Sequence, residues 1–268
     1  GLAYSTLIFG VAIQQCTPAA VSGNVTCGNV DLMAVNSGCD GGALHVSNSV
    51  TYVAGTTIED SMATRHGGAI AVVSGTLFVV NCNFTGLTAL SGAGGAIYVA
   101  SVPYNASGMS PAYWKSSVGM YNSVIKYATA LYHGGAVRLE AYATLDVDGG
   151  CFEQNLALVG HGGAVSCYNC DSVRINSTQM GHNTAFMSGG ALSVVGISQL
   201  LLVENDFHDN DATSGDGGAM LLQGFNFDLT EVVYNQFTRN TASSGGGGAI
   251  YWNASVVAPK FVPLPRGL

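Results

Sequence analysis

Apolar and polar positions along the chain do not follow a helical period. Short runs of β-branched and aliphatic residues are broken by Gly or Ser, as in AIAVVSGTLFVVNCNF (69–84) and ALSVVGISQLLLVEN (191–205). Such runs predict short strands joined by tight turns. Abundant glycine and scarce Glu, Lys and Arg disfavour helix. Residues 4–13, with Tyr4, Thr6, Ile8, Val11 and Ile13, read as a further strand.

The runs belong to a repeat. Gly-Gly-Ala occurs eight times, ending at Ala43, Ala69, Ala96, Ala136, Ala164, Ala191, Ala219 and Ala249, each followed by Leu, Ile, Val or Met. The spacings are 26, 27, 40, 28, 27, 28 and 30 residues. Phe152, Phe207 and Phe237 stand twelve residues before the Ala, and Asn155, Asn210 and Asn240 stand nine before it. Met180 and Asn183 keep the pair with one residue deleted, whereas Phe84 has Leu87 in the Asn place. A period of this size without helices predicts an all-β solenoid: a right-handed parallel β-helix of about eight rungs. With about three short strands per rung and rungs ~4.8 Å apart, the rod is roughly 40 Å long. The glycines suit a tight corner and close backbone approach. Ala fits where nothing larger enters, Phe fills the core, and Asn forms an inward ladder.

GGA-[ILV] with an upstream FxxN resembles the repeat of the chlamydial polymorphic outer-membrane proteins. CFEQN (151–155) with GHGGAV (160–165) and DFHDN (206–210) with GDGGAM (215–220) carry the resemblance, which extends over about 37–252. It implies a β-helical passenger-like domain, a surface location and adhesive or structural duty. Around it, 1–36 read as an N-terminal strand and cap, and the Pro-rich 253–268 as an extended arm. The chain opens at Gly1, so either a leader has been removed or it is a piece of a longer chain.

The net charge of −8 and eight scattered basic residues exclude a basic nucleic-acid surface. No apolar run is long enough for a transmembrane helix. Among seven cysteines, Cys16–Cys27 is the first pairing expected near the N-terminus, with Cys27–Cys39 as rival. Cys167 and Cys170 suit a small loop disulfide. Cys82 and Cys151 adjoin Phe and are expected to be buried. Glycosylation patterns occur at Asn24, Asn83, Asn105, Asn176 and Asn253; strand alternation points Asn83 outward, away from core Phe84.

The 40-residue spacing hides about 13 extra residues, placed at 101–114, where Tyr104, Tyr113 and Trp114 are candidate contacts for sugar or protein. His133 and His161 precede the corner in consecutive rungs and should stack near 5 Å, at a position that reads as a tolerant turn. The acids Glu204, Asp206, Asp209, Asp211 and Asp216 read as a solvated edge rather than a Ca²⁺ site. Asp146, Asp148, Glu153 and Arg174 do not complete a polysaccharide-cleaving site. No metal and no cofactor are expected. The reading is a secreted or cell-surface, non-enzymatic structural protein whose partners are copies of itself, building a filament or layer. A glycan-binding adhesin module acting through 101–114 is the alternative, and a polysaccharide lyase or hydrolase a further one.

Overall fold

Each Gly-Gly-Ala begins one level of a parallel β-solenoid. In this computed structural model, residues 40–47, 49–102, 115–224 and 230–253 are described with their side chains. Backbone alone is described for 5–9, 19–21, 24–28, 31–33, 36–37, 103–104, 112–114, 229, 254 and 260–262. The described residues contain strands and turns but no helix. Successive levels pair in parallel and in register, for example Ile97↔Val137, Val137↔Val165 and Val165↔Leu192.

A level has four strand segments rather than the expected three. The fourth is a two-residue strand such as Thr88–Ala89 or Thr184–Ala185, too short for any periodicity to announce. Eight of these stack in one ladder, so seven turns of chain separate the first from the last. Asn36–Ser37 opens that ladder. Asn24–Gly28 joins the stack on Val50–Ala54, and Ser5–Phe9 pairs on it in turn. At the other end Lys260–Val262 pairs with Leu229–Val233.

Left-handed residues make the corners. The level that starts at Val165 turns at Asn169, Ser177, His182 and Gly189, with φ between 47° and 68°. The first glycine of every Gly-Gly-Ala also has positive φ, from 63° to 75°. The second is glycine for lack of room: a Cβ on Gly163 would lie 2.1 Å from the Gly190 carbonyl oxygen. Ala43 through Ala219 in this column are buried, and each donates its N–H to the Ala of the next level.

Inside, columns of like residues run along the axis. Ile58, Phe84, Ile125, Phe152, Met180, Phe207 and Phe237 occupy one column; Phe207 and Phe237 stack at 5.0 Å. Beside it runs the amide ladder. Asn155 donates Nδ2 to Asn183 Oδ1 at 2.9 Å, Asn183 to Asn210 at 3.1 Å, and Asn210 to Asn240 at 2.9 Å. Each Nδ2 also donates to a backbone carbonyl: those of Ile125, Phe152, Met180 and Phe207 in order.

A second ladder, which the sequence reading missed, links Asn205 Nδ2 to Asn235 Oδ1 at 2.9 Å and is capped by Thr178 N–H donating to Asn205. Its signal was an Asn two residues before Phe207 and Phe237, present in only two copies.

Candidate functional site

The residues after each two-residue strand leave the core and cross the outside of a corner. In the middle levels they are apolar. Leu90, Leu131, Leu158 and Phe186 form one column, held by N–H donation from Leu131 to Ala89, Leu158 to Ala130 and Phe186 to Ala157. Tyr132, Val159 and Met187 form the next. Leu90, Tyr132, Leu158, Val159, Phe186 and Met187 are each 42–49% exposed. Polar residues bound this ridge: Thr64, Arg65 and Ser91 before it, Thr213, Ser214, Ser243 and Ser244 after it. Sequence reasoning passed over it, although TALY (129–132), LALV (156–159) and TAFM (184–187) carry the signal.

The residue before each Gly-Gly is not merely a tolerant turn position; it is a column of hydrogen-bond acceptors. Asp40 Oδ1 accepts the His66 N–H, His66 Nδ1 that of Ala93, and His133 Nδ1 that of His161. His161 Nδ1 accepts from Ser188, Ser188 Oγ from Asp216, and Asp216 Oδ1 from Gly246. The His133 and His161 rings stack at 5.5 Å and 11°.

The acidic residues do not converge on one point. Arg239 donates Nε and Nη2 to the two oxygens of Asp209 at 2.6 Å each, which holds that carboxyl well below its ordinary range. His182, Asp209 and Arg239 are successive left-handed corner residues, so the stacking of levels brings their charges together. His182 Nε2 and His208 Nδ1 lie 3.9 and 3.1 Å from Asp209 Oδ2. His182, His208 and Asp209 are the only three such side chains close enough together to share a metal ion among the described residues, and a guanidinium already grips the carboxylate. Asp211 is taken up by Thr213 and Ser243.

Asp146 pairs with Arg174 at 3.6 Å, Asp148 accepts from Asn176 at 2.8 Å, and Glu153 pairs with Lys126. Each of these carboxylates is thus engaged along the stack by its neighbour.

Cys167 and Cys170 form a disulfide with Cα atoms 5.9 Å apart. Cys82 is buried, and burial raises its thiol pKa. Cys151 corrects the expectation: it sits half-exposed on the outer face, as alternation from inward Phe152 requires.

Of the glycosylation patterns, Asn83 and Asn253 are exposed and Asn176 is half-buried with its amide given to Asp148. Asn24 is described by backbone only, and Asn105 lies outside the described residues, as do Cys16 and Cys39. Cys27 stands in Asn24–Gly28 with only its backbone described, so neither pairing expected of Cys16, Cys27 and Cys39 falls within them.

The extra segment forms a hairpin in which Val102–Tyr104 pairs antiparallel with Ala112–Trp114. Tyr104, Tyr113 and Trp114 lie on its strands. Ser116 closes its base, its N–H on Ser101 Oγ at 2.8 Å and its hydroxyl on Ala100 O at 2.6 Å.

Residues 236–251 match the model of the Chlamydia polymorphic membrane protein repeat. The matched copy holds Phe237, Asn240 and the Gly247-Gly248-Ala249 corner, so the chain carries polymorphic-membrane-protein-like β-helix repeats. No curated protein and no solved structure matches the chain. Among the described residues no helix is long and apolar enough to cross a membrane.

Proposed function

We propose that the chain is a non-enzymatic β-solenoid of a cell surface that associates laterally with copies of itself through the corner ridge. The repeat's own family consists of chlamydial membrane proteins, which supports a surface address. The ridge carries the self-association reading. Its six exposed side chains present roughly 500 Å² of apolar surface, on the scale where an aromatic buries ~150–250 Å². That is as large as the largest patch of many monomers. Two copies meeting ridge to ridge would bury roughly 1,000 Å², about the least that a specific interface needs. A second copy fits because the ridge repeats at the spacing of the levels, so two ridges present the same period to one another.

The test is sedimentation velocity on the wild type and on Leu158→Ser/Phe186→Ser. Ser and Thr stand naturally in the same columns at Thr213, Ser214 and Ser243, so the backbone accepts them. Concentration-dependent association that the variant loses is expected. A wild type that stays monomeric at the highest soluble concentration would sink the reading.

A second reading, contact with glycans through the 101–114 hairpin, is supported by its closed base. Trp114→Ala should then abolish glycan binding without changing association. N-glycans at Asn83 and Asn253, both exposed, belong to the same proposal for a eukaryotic source, and intact mass before and after deglycosylation tests them.

A further inference from the structure

On the outer face of the strand that follows each corner, a charged residue is buried where a solvated one would be ordinary. Arg138 is 7% exposed. Its Nε donates to Glu140 Oε1 at 3.0 Å, and its Nη1 to Ser166 Oγ at 2.7 Å. The guanidinium lies over the Tyr168 ring, 5.8 Å from its centre. These bonds do not use Nη2, and Arg138 is a wall of a cavity of about 380 Å³ together with His133, His161, Tyr168, Ser193 and Gln223.

The acceptor column fixes what the two histidines offer. Each Nδ1 accepts a backbone N–H, at 3.1 Å for His133 and 3.2 Å for His161. A nitrogen that accepts carries no proton, so the hydrogen of each neutral ring is on Nε2. Burial first, then Arg138, lowers both pKa values, that of His133 to about 4. Both rings are therefore neutral Nε2–H donors near pH 7. The carboxylate of Glu140, beside Arg138, is occupied by Arg138 and by the Tyr98 hydroxyl at 2.9 Å. The cavity thus offers a guanidinium and two imidazole N–H groups, and no carboxylate is among its walls. Val195 and Leu221 supply an apolar side.

We infer that this cavity binds a small carboxylate ligand of about monosaccharide size, its anionic group received by Arg138, His133 and His161. A guanidinium and two N–H donors with no carboxylate among the walls are the complement of an oxyanion, and the oxygens of Ser193, Tyr168 and Gln223 are left to a sugar's hydroxyls. The volume is at the lower end of the ~300–1,000 Å³ typical of small-molecule sites. The site does not depend on self-association.

The test is calorimetric titration of the whole chain with D-glucuronate, D-glucose and inorganic sulfate. Glucuronate should bind and glucose should not. Arg138→Gln/Glu140→Gln removes both charges together and leaves neither unpaired. It should weaken glucuronate by about tenfold or more, the worth of one charge-assisted hydrogen bond. His161→Ser keeps the corner acceptor, as Ser188 does natively, and removes one Nε2–H; it should weaken glucuronate by a smaller factor. Since the serine variant preserves the corner, misfolding of the double variant would leave the inference open to test. No binding of glucuronate, binding undiminished in the folded variants, glucose binding as tightly, or sulfate binding as tightly would each overturn the inference.

Discussion

At one inward corner position the two halves of the solenoid are built differently. In the earlier levels it holds Ser61, Leu87 and Ala128; in the later ones Asn155, Asn183, Asn210 and Asn240. The backbone turn is the same in both. In one half apolar side chains help to fill it, and in the other a chain of amides spans it. The ladder is contiguous for a physical reason. A buried Asn is satisfied when its neighbours above and below supply the complementary groups, and a lone one among apolar residues would leave amide groups unpaired. The ladder therefore comes as a block, and its first member is closed by a backbone donor, Ala128 N–H on Asn155 Oδ1 at 3.0 Å.

The largest effect should fall on what the halves share. Gly95 belongs to the apolar half and Gly190 to the amide half. A Cβ on either would meet the next level's carbonyl oxygen, 2.0 Å away for Gly95 and 2.1 Å for Gly190. Backbone on both sides leaves nowhere to move. Gly95→Ala and Gly190→Ala should each cost more than ~4 kcal/mol, read as loss of the folded signal in urea titration. If one half tolerated the change, the corner would not be the common element.

The second effect separates the halves. The Asn183 side chain is fully buried and takes part in four hydrogen bonds: two accepted from Asn155, one given to Phe152 O and one given to Asn210. Asn183→Leu keeps the volume and strands those groups. At ~1–3 kcal/mol for each stranded buried group, it should cost about 3–5 kcal/mol in all. A cost below about 1 kcal/mol, from denaturant midpoints, would mean that volume alone matters there and that the two halves are equivalent.

These contrasts show where the sequence was legible. The Gly-Gly-Ala corner and the Phe–Asn pair recur often enough to be read, and each meets a steric or hydrogen-bonding demand repeated at every level. The hairpin announced itself as a break in spacing. What escaped lacked one of those marks. The two-residue strands are held by stacking, which no local pattern encodes. The Asn205–Asn235 ladder has two members. The ridge consists of apolar residues outside the core, where a hydrophobicity argument places none. His66, His133 and His161 share their position with Asp40, Ser188 and Asp216, and only the common capacity of these side chains to accept a hydrogen bond unites them. The cavity beside Arg138 assembles residues from several levels, a juxtaposition that register determines and that one level's sequence does not show.

The smallest effect sharpens the boundary between the halves. Ala128 already gives its N–H to Asn155 Oδ1. In the ladder each Asn gives both its N–H and its Nδ2–H to the next amide oxygen, as Asn155 does to Asn183. Ala128→Asn would add an Nδ2–H to the same oxygen. Its second Nδ2–H would point at Phe84 O, the place corresponding to Ile125 O for Asn155. New hydrogen bonds are worth about 1 kcal/mol each, and burying the amide and fixing its rotamer take back part of this. The variant should be more stable by about 1 kcal/mol, seen as a higher urea midpoint with an unchanged slope. A loss of similar size would show that contact with the buried Leu87 side chain sets where the ladder begins, and that the amide block cannot be extended one level at a time.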